Sequence, residues 1–431
     1  MAVLKASISA HKAGVGEQGM EQKEAKRRTV GAQPVPLLFV IGSLDIGGAE
    51  GHLARIVPQL DRLVWAPAIY TFIRRGALAE AVERQGVPVY DATFPAFLRG
   101  RDLVSRGVRL VLTFAQLVRH LIRRKPRVVH YFLPASYLIG LPATFVAHAL
   151  TAFAGPLPRR VMSRRSLNLY QRKYPILARL ERLLHKGCNV VVGNSRAVIE
   201  ELKGEGVSSE CLELIYNGIE MPPVEARDMR SRRANLGLPE QAVIVTQVAN
   251  LIPYKGHADL LDAFAKAQAA TSVGMALCLV GRDDGIGAEL AAKAEALGIA
   301  DRVTWLGARG DVAAILAASD IGVLSSHQEG FSNAVLEGMA ASLPMVVTRV
   351  GGNSEAVIDG ETGLLVEPHN SDALAKALVR LADDAALRLR LGEAARRRVE
   401  DNFTLGRCAD RYERLYTSLI GTGVSGPPDR S

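Results

Sequence analysis

From residue 36 onward, short apolar β-rich runs alternate with helix-patterned segments, and this alternation most constrains what the chain can fold into. A parallel strand pair needs a long crossover, usually a helix, so strand-helix repetition points to parallel sheets. The first run, Pro36–Gly42 (PLLFVIG), enters SLDIGGAEGHLARIVPQL, a glycine-bearing turn followed by a helical pattern starting near Gly48. Ala66–Phe72, Val87–Ala92, Arg127–Leu133 and Asn189–Asn194 are further strand candidates. The pattern halts at IYNGIEMPPVEAR (Ile215–Arg227), whose Asn-Gly and Pro-Pro pairs are turn and linker signals. It resumes through VIVTQVAN, ALCLVG, VTWLG, IGVLSS, PMVVTRV and GLLVEP, ending in a charged helical tail from Ser371.

A chain of 431 residues exceeds what a single hydrophobic core organises, so two α/β domains are expected. The boundaries predicted are 35–220 and 221–402, with 403–431 crossing back to the first domain as a helix plus tail. Residues 1–34 are polar, lack a continuous apolar core of signal-peptide length, and read as a disordered extension. Four cysteines lie far apart with no Cys-x-x-Cys pair, which argues against a zinc or disulfide framework and suits a reducing cytoplasm. The formal charge of +9 favours anionic partners, but no nucleic-acid motif accompanies it, so nucleic acid is not an expected partner.

Membrane contact has two candidate segments. Val128–Pro158 contains no Asp, Glu, Lys or Arg, but prolines, histidines and hydroxyl residues interrupt it, so a buried strand, turn and helix is expected rather than a span. Arg99–Arg127 mixes leucines and valines with seven or more basic side chains and reads either as a helix lying on an anionic membrane or as a solvated outer face. A cytoplasmic protein, peripheral at the inner face of the membrane, is the expectation.

The sharpest chemical constellation is SSHQEGFSNAVLEGMAASLP (Ser325–Pro344). Glu329 falls in a strand-to-helix turn and Glu337 eight residues later, inside the helix. Free backbone N–H groups near Gly330, Phe331, Ser332 and Asn333 then stand beside a carboxylate, which suits a ligand bearing both phosphates and hydroxyls. Lys255, in VANLIPYKGH, follows one strand and precedes a helix, where an ammonium can neutralise a diphosphate; a solvated surface lysine fits that position equally well. Gly47 and Gly48 allow close backbone approach to a ligand, or serve only a tight turn. His130, in VVHYFLP, and Asn194, in VVVGNSRAV, lie where they line a cleft or satisfy the structure locally. RRVMSRRSLN (Arg159–Asn168) offers arginines to an anionic acceptor or forms a solvated basic loop.

Taken together and in order, these segments resemble the retaining glycosyltransferases of family 4, whose Glu-x7-Glu motif is matched by Glu329 and Glu337. The resemblance spans nearly the whole chain after residue 35; GGAE (Gly47–Glu50), RVGGNSEAV (Arg349–Val357) and DGETGLLVEP (Asp359–Pro368) match other landmarks. It implies the GT-B fold, two Rossmann-like domains with parallel sheets facing across a cleft, and a hexosyltransferase-type enzyme using a UDP- or GDP-sugar donor. It implies a glycan or lipid-linked acceptor in polysaccharide or glycoconjugate biosynthesis, with no cofactor and no metal. The implied catalytic residues are Glu329, His130 and Lys255. Donor contacts fall to Gly48, Asn250, Lys255, Gly330, Phe331, Ser332, Asn333 and Glu337, and the acceptor side to Gly47, Gly48 and Asn194. Asn250 departs from the family pattern, which has an arginine there; Arg282 and Arg309 are candidate substitutes for the lost charge. A catalytically silent sugar-nucleotide-binding subunit and a nucleotide-sugar epimerase are the alternatives.

Overall fold

The structure, a computed structural model, describes residues 33–94, 102–152, 155–167, 171, 174–222 and 233–421. The polar stretch 1–32, much of the linker and the last ten residues lie outside the described residues.

The N-terminal domain holds a parallel sheet of strands β1 (Val35–Ile41), β2 (Trp65–Thr71), β3 (Val89–Asp91), β4 (Val128–Phe132), β5 (Arg159–Arg164), β6 (Val190–Gly193) and β7 (Leu212–Leu214), in the order β3-β2-β1-β4-β5-β6-β7. The C-terminal domain repeats the plan with β8 (Val243–Val248), β9 (Met275–Val280), β10 (Val303–Gly307), β11 (Ile321–Leu324), β12 (Met345–Thr348) and β13 (Gly363–Val366), in the order β10-β9-β8-β11-β12-β13. Helices cover both faces of each sheet, so central strands such as β4 and β9 are buried at every position, which is why they read as unbroken apolar runs. Both sheets are doubly wound. In such sheets the strand order reverses at the centre, between β1 and β4 and between β8 and β11, and a ligand crevice opens at the strands' carboxyl ends there.

The helix Leu405–Gly421 belongs by packing to the first domain: Leu405, Cys408, Tyr412, Leu415 and Tyr416 join Phe39, Trp65 and Phe132 in one core. The apolar stretch after β4 forms the helix Pro134–Leu150, with Pro142 inside it, and among the described residues no helix is long and apolar enough to cross a membrane.

The basic cluster Arg159–Asn168 corrects the expectation of a solvated loop. Its first six residues are strand β5, in the sheet interior between β4 and β6. Arg164 is fully buried, donates to Glu181 at 3.1 Å and pairs with Glu205, which also meets His185 at 3.0 Å. The buried Arg164 charge survives there because Glu181 and Glu205, supplied by later segments, meet it.

Candidate active site

At the carboxyl end of β8 the chain turns through Pro253–Lys255 and Gly256, then enters the helix His257–Ala270. Gly256 has φ +68°, and a Cβ there would stand 1.9 Å from the Ser325 carbonyl oxygen. Only glycine lets this turn lie directly on the end of β11. Ser325 fastens the contact: its hydroxyl lies 3.0 Å from Gln247 Oε1 and 2.8 Å from the Gly256 carbonyl. The result brings together the residues flagged independently in the sequence, with Lys255 Nζ 2.6 Å from Glu329 Oε1. Ser326 donates to the same oxygen at 2.7 Å, and the Lys255 ammonium lies 5.4 Å from the centroid of the Tyr254 ring.

The Glu329 loop is held from behind by the RVGGN segment. A Cβ on Gly351, whose φ is +49°, would lie 1.7 Å from the Glu329 carbonyl oxygen, and the Gly352 amide donates to the Gly330 carbonyl at 2.9 Å. Phe331 is buried, and Ser332 caps the helix Asn333–Ala340 through the Val335 amide at 3.4 Å. Within that helix Glu337 faces the other domain, where Arg55 of the helix Gly48–Ile56 donates to its Oε1 at 3.2 Å. Burial raises the Glu337 carboxyl above the usual range, and the Arg55 guanidinium partly opposes the rise. Asn333 reaches the Gly48 carbonyl at 3.3 Å, so the glycine loop and the Glu-x7-Glu helix meet across the domains.

Asn194 and the linker residue Asn217 form the hinge side. Asn217 donates to the Phe331 carbonyl at 2.9 Å and to Asn333 Oδ1 at 2.7 Å, while Arg165 donates to its Oδ1 at 2.5 Å. Asn194 is buried and donates to the Arg165 carbonyl at 3.3 Å. Glu355 also spans the domains: its carboxylate accepts from the Arg196 amide at 2.9 Å and from the Tyr216 hydroxyl at 2.8 Å, capping the helix Arg196–Gly204 from outside. Arg55 carries no local sequence signal, and the segments of Asn217 and Glu355 do not announce these contacts, because each residue acts through a partner more than a hundred residues away.

His130 takes a different place from the one expected. It is the central residue of β4 rather than its end, has no exposed surface, and is clamped between Tyr416 and Ser163, each at 2.7 Å from a ring nitrogen. Alternation along the strand turns it toward the Leu405–Gly421 helix, so it belongs to the core and leaves the catalytic set. Asn250 accepts from the Arg282 amide at 3.2 Å. Each candidate substitute holds a neighbouring carboxylate at the surface: Arg282 pairs with Asp284 at 2.6 Å and Arg309 with Asp311 at 2.7 Å. Arg55 is a cation that faces the site instead.

A doubly wound pair of domains, with Lys255 and Glu329 meeting at the carboxyl ends of the central strands of the second sheet, defines the GT-B class of fold. The profile described as Glycosyltransferase Family 4 matches residues 46–221, and that of Glycosyl transferases group 1 matches residues 228–398. The chain belongs to glycosyltransferase family 4 and is a glycosyltransferase. It is 31% identical to N-acetyl-alpha-D-glucosaminyl L-malate synthase of Bacillus anthracis over 58% of this chain and 65% of that protein, just under two thirds of its length. It is 26% identical to D-inositol 3-phosphate glycosyltransferase of Corynebacterium diphtheriae over 90% of this chain and 94% of that protein. Among solved structures, Anabaena HepE in complex with UDP and glucose superposes with a TM-score of 0.76 at 23% identity, covering 89% of this chain and all of that one, a likeness of fold.

Proposed function

We propose that this chain is a retaining glycosyltransferase that moves a sugar from a UDP- or GDP-sugar to a glycan or lipid-linked acceptor in polysaccharide or glycoconjugate biosynthesis. The observation that carries the reading is the Lys255–Glu329 pair at 2.6 Å, set at the crevice of the second sheet and backed by Glu337 across from Arg55. On donor binding, Lys255 exchanges the carboxylate for the diphosphate and Glu329 turns to sugar hydroxyls. Glu337, one of whose oxygens engages Arg55, takes the ribose. The bond from the anomeric carbon to the phosphate oxygen breaks as negative charge gathers on the diphosphate, which Lys255 stabilises; a cation preorganised where charge develops is among the largest catalytic contributions. The acceptor oxygen bonds to the same face of the carbon, and its proton passes to the departing phosphate oxygen. Because Lys255 and loop amides supply positive charge, the step is proposed to run without a catalytic metal.

The acceptor is proposed to arrive at a membrane surface. Val104, Leu110 and Val111 are exposed on the helix Leu103–Arg124, and Phe145 and Leu150 are exposed on the adjacent helix. Between these helices lies a cavity of about 470 Å³ lined by Phe114, Val118, Ile122 and Leu150, with Arg119 and Arg123 at its edge. Apolar side chains framed by guanidinium groups suit an anionic lipid surface.

The test is a donor screen by thermal shift with UDP- and GDP-sugars, followed by turnover measurement. A bound donor stabilises the folded chain. Lys255→Ala is expected to lower kcat about a hundredfold or more, and Glu329→Gln to reduce turnover while nucleotide alone still raises the melting temperature. Stabilisation by nucleotide-sugars without turnover on any acceptor would favour a silent binding subunit.

A further inference from the structure

We propose a divalent-metal site, selective for zinc-like ions, at Asp259, His327 and His369. The three side chains come from separate segments of the C-terminal domain. Asp259 lies in the first turn of the helix that follows Lys255, His327 lies in the loop after β11, two residues before Glu329, and His369 follows β13. One prospective ligand atom from each, a carboxylate oxygen and two imidazole nitrogens, lies within 4.8 Å of the others.

The geometry is that of a bite awaiting an ion. His327 Nε2 stands 2.8 Å and His369 Nδ1 3.7 Å from the same Asp259 oxygen, and the two imidazoles lie with centroids 3.8 Å apart and planes tilted by 38°. Around a tetrahedral zinc with bonds of about 2.0–2.1 Å, neighbouring ligand atoms are separated by roughly 3.3 Å. The two separations from the Asp259 oxygen bracket that value, and the nitrogens lie within 4.8 Å of each other, so side-chain rotations admit the ion. A hydrogen bond accounts for His327 but not for His369, whose nitrogen is beyond hydrogen-bond reach of the carboxylate. Yet His369 adopts a left-handed backbone, φ +59°, and lies over the His327 ring.

The donor set chooses the ion. Two imidazoles with one carboxylate suit zinc and its neighbours, whereas calcium and magnesium prefer all-oxygen sites. Asp259 and His327 retain about a quarter of their side-chain surface, 28% and 25%, which leaves an entry path and room for a water as a fourth ligand. A bound ion would tie the Lys255 turn to the Glu329 loop, two segments that already meet where the His327 amide donates to the Tyr254 carbonyl at 2.7 Å. Its role is to position the donor loops; none of its three ligands is assigned to the reaction.

Zinc binding to the untagged full-length chain, stripped with a chelator and dialysed, tests the site independently of transfer activity. One equivalent of zinc is expected by calorimetry, with a raised melting temperature. His369→Ala, at an exposed loop residue, is expected to weaken zinc at least tenfold while melting as wild type does in chelator. Asp259→Asn should do the same. Cobalt is expected to give the visible bands of a four-coordinate site in wild type and to lose them in His369→Ala. No zinc binding by wild type, or equal binding by wild type and His369→Ala, overturns the proposal.

Discussion

A Cβ built on Gly48 meets nothing within 4 Å, in contrast to Gly256 and Gly351, where it would strike backbone carbonyls. Packing therefore demands glycine at the two turns that assemble the Lys255–Glu329 pair but not at the loop facing it. The close approach of a ligand is the proposed reason for glycine at residue 48. Gly48→Ala is expected to leave the melting temperature unchanged or slightly raised, since alanine is the better helix former by about 1 kcal/mol, while turnover falls about tenfold to a hundredfold as the substrate is displaced. Undiminished turnover would reduce the glycine loop to a simple turn. Lys255 and Glu329 were readable because both stand at strand ends in distinctive segments. Arg55 was not, because an arginine in a helix reads the same whether it faces water or a glutamate of another domain.

Among the elements, the basic helix leaves two readings open in the sequence, and its packing gives it one buried and one exposed face. Leu117, Val118 and Leu121 are buried in the first domain's core, whereas Val104 and Val111 face solvent beside the arginines. The double change Arg119→Glu and Arg123→Glu is expected to abolish binding to vesicles containing anionic phosphatidylglycerol without changing melting temperature, as each basic residue near such a surface contributes about 1 kcal/mol. Flotation that is indifferent to these charges would make the helix an ordinary outer face. Strand β5 shows the opposite limit of legibility. Its arginines hide the strand pattern, and the carboxylates that make the buried Arg164 tolerable, Glu181 and Glu205, arrive only with the fold.

At the scale of the whole molecule, folding withdraws several histidines from water. Burial pushes His120 and His257 down to about 4, with Arg124 and Lys255 respectively adding to the effect, and holds His52 and His130 well below their ordinary value. Each is neutral when folded but takes a proton near pH 6.5 when unfolded, so the unfolded chain binds more protons in acid. Their contribution is therefore complete above about pH 6.5 and is lost as pH falls toward 4. Melting temperature should decline through that window, and His120→Phe should show a shallower decline than wild type; parallel acid limbs would disprove this account. The same burial ties the helix Leu405–Gly421 to β4 through the hydrogen bond between Tyr416 and His130.

Sequence alone determined the strand-helix alternation, the two sheets and the pairing of Glu329 with a helix-borne Glu337, because period, turn residues and strand-end position are local properties. It could not decide that His130 belongs to the core, that β5 is a strand, or that Arg55, Asn217 and Glu355 join the domains. Those outcomes depend on which distant groups compensate a buried charge or occupy a facing surface, and only the tertiary structure brings such groups within a few ångströms of one another.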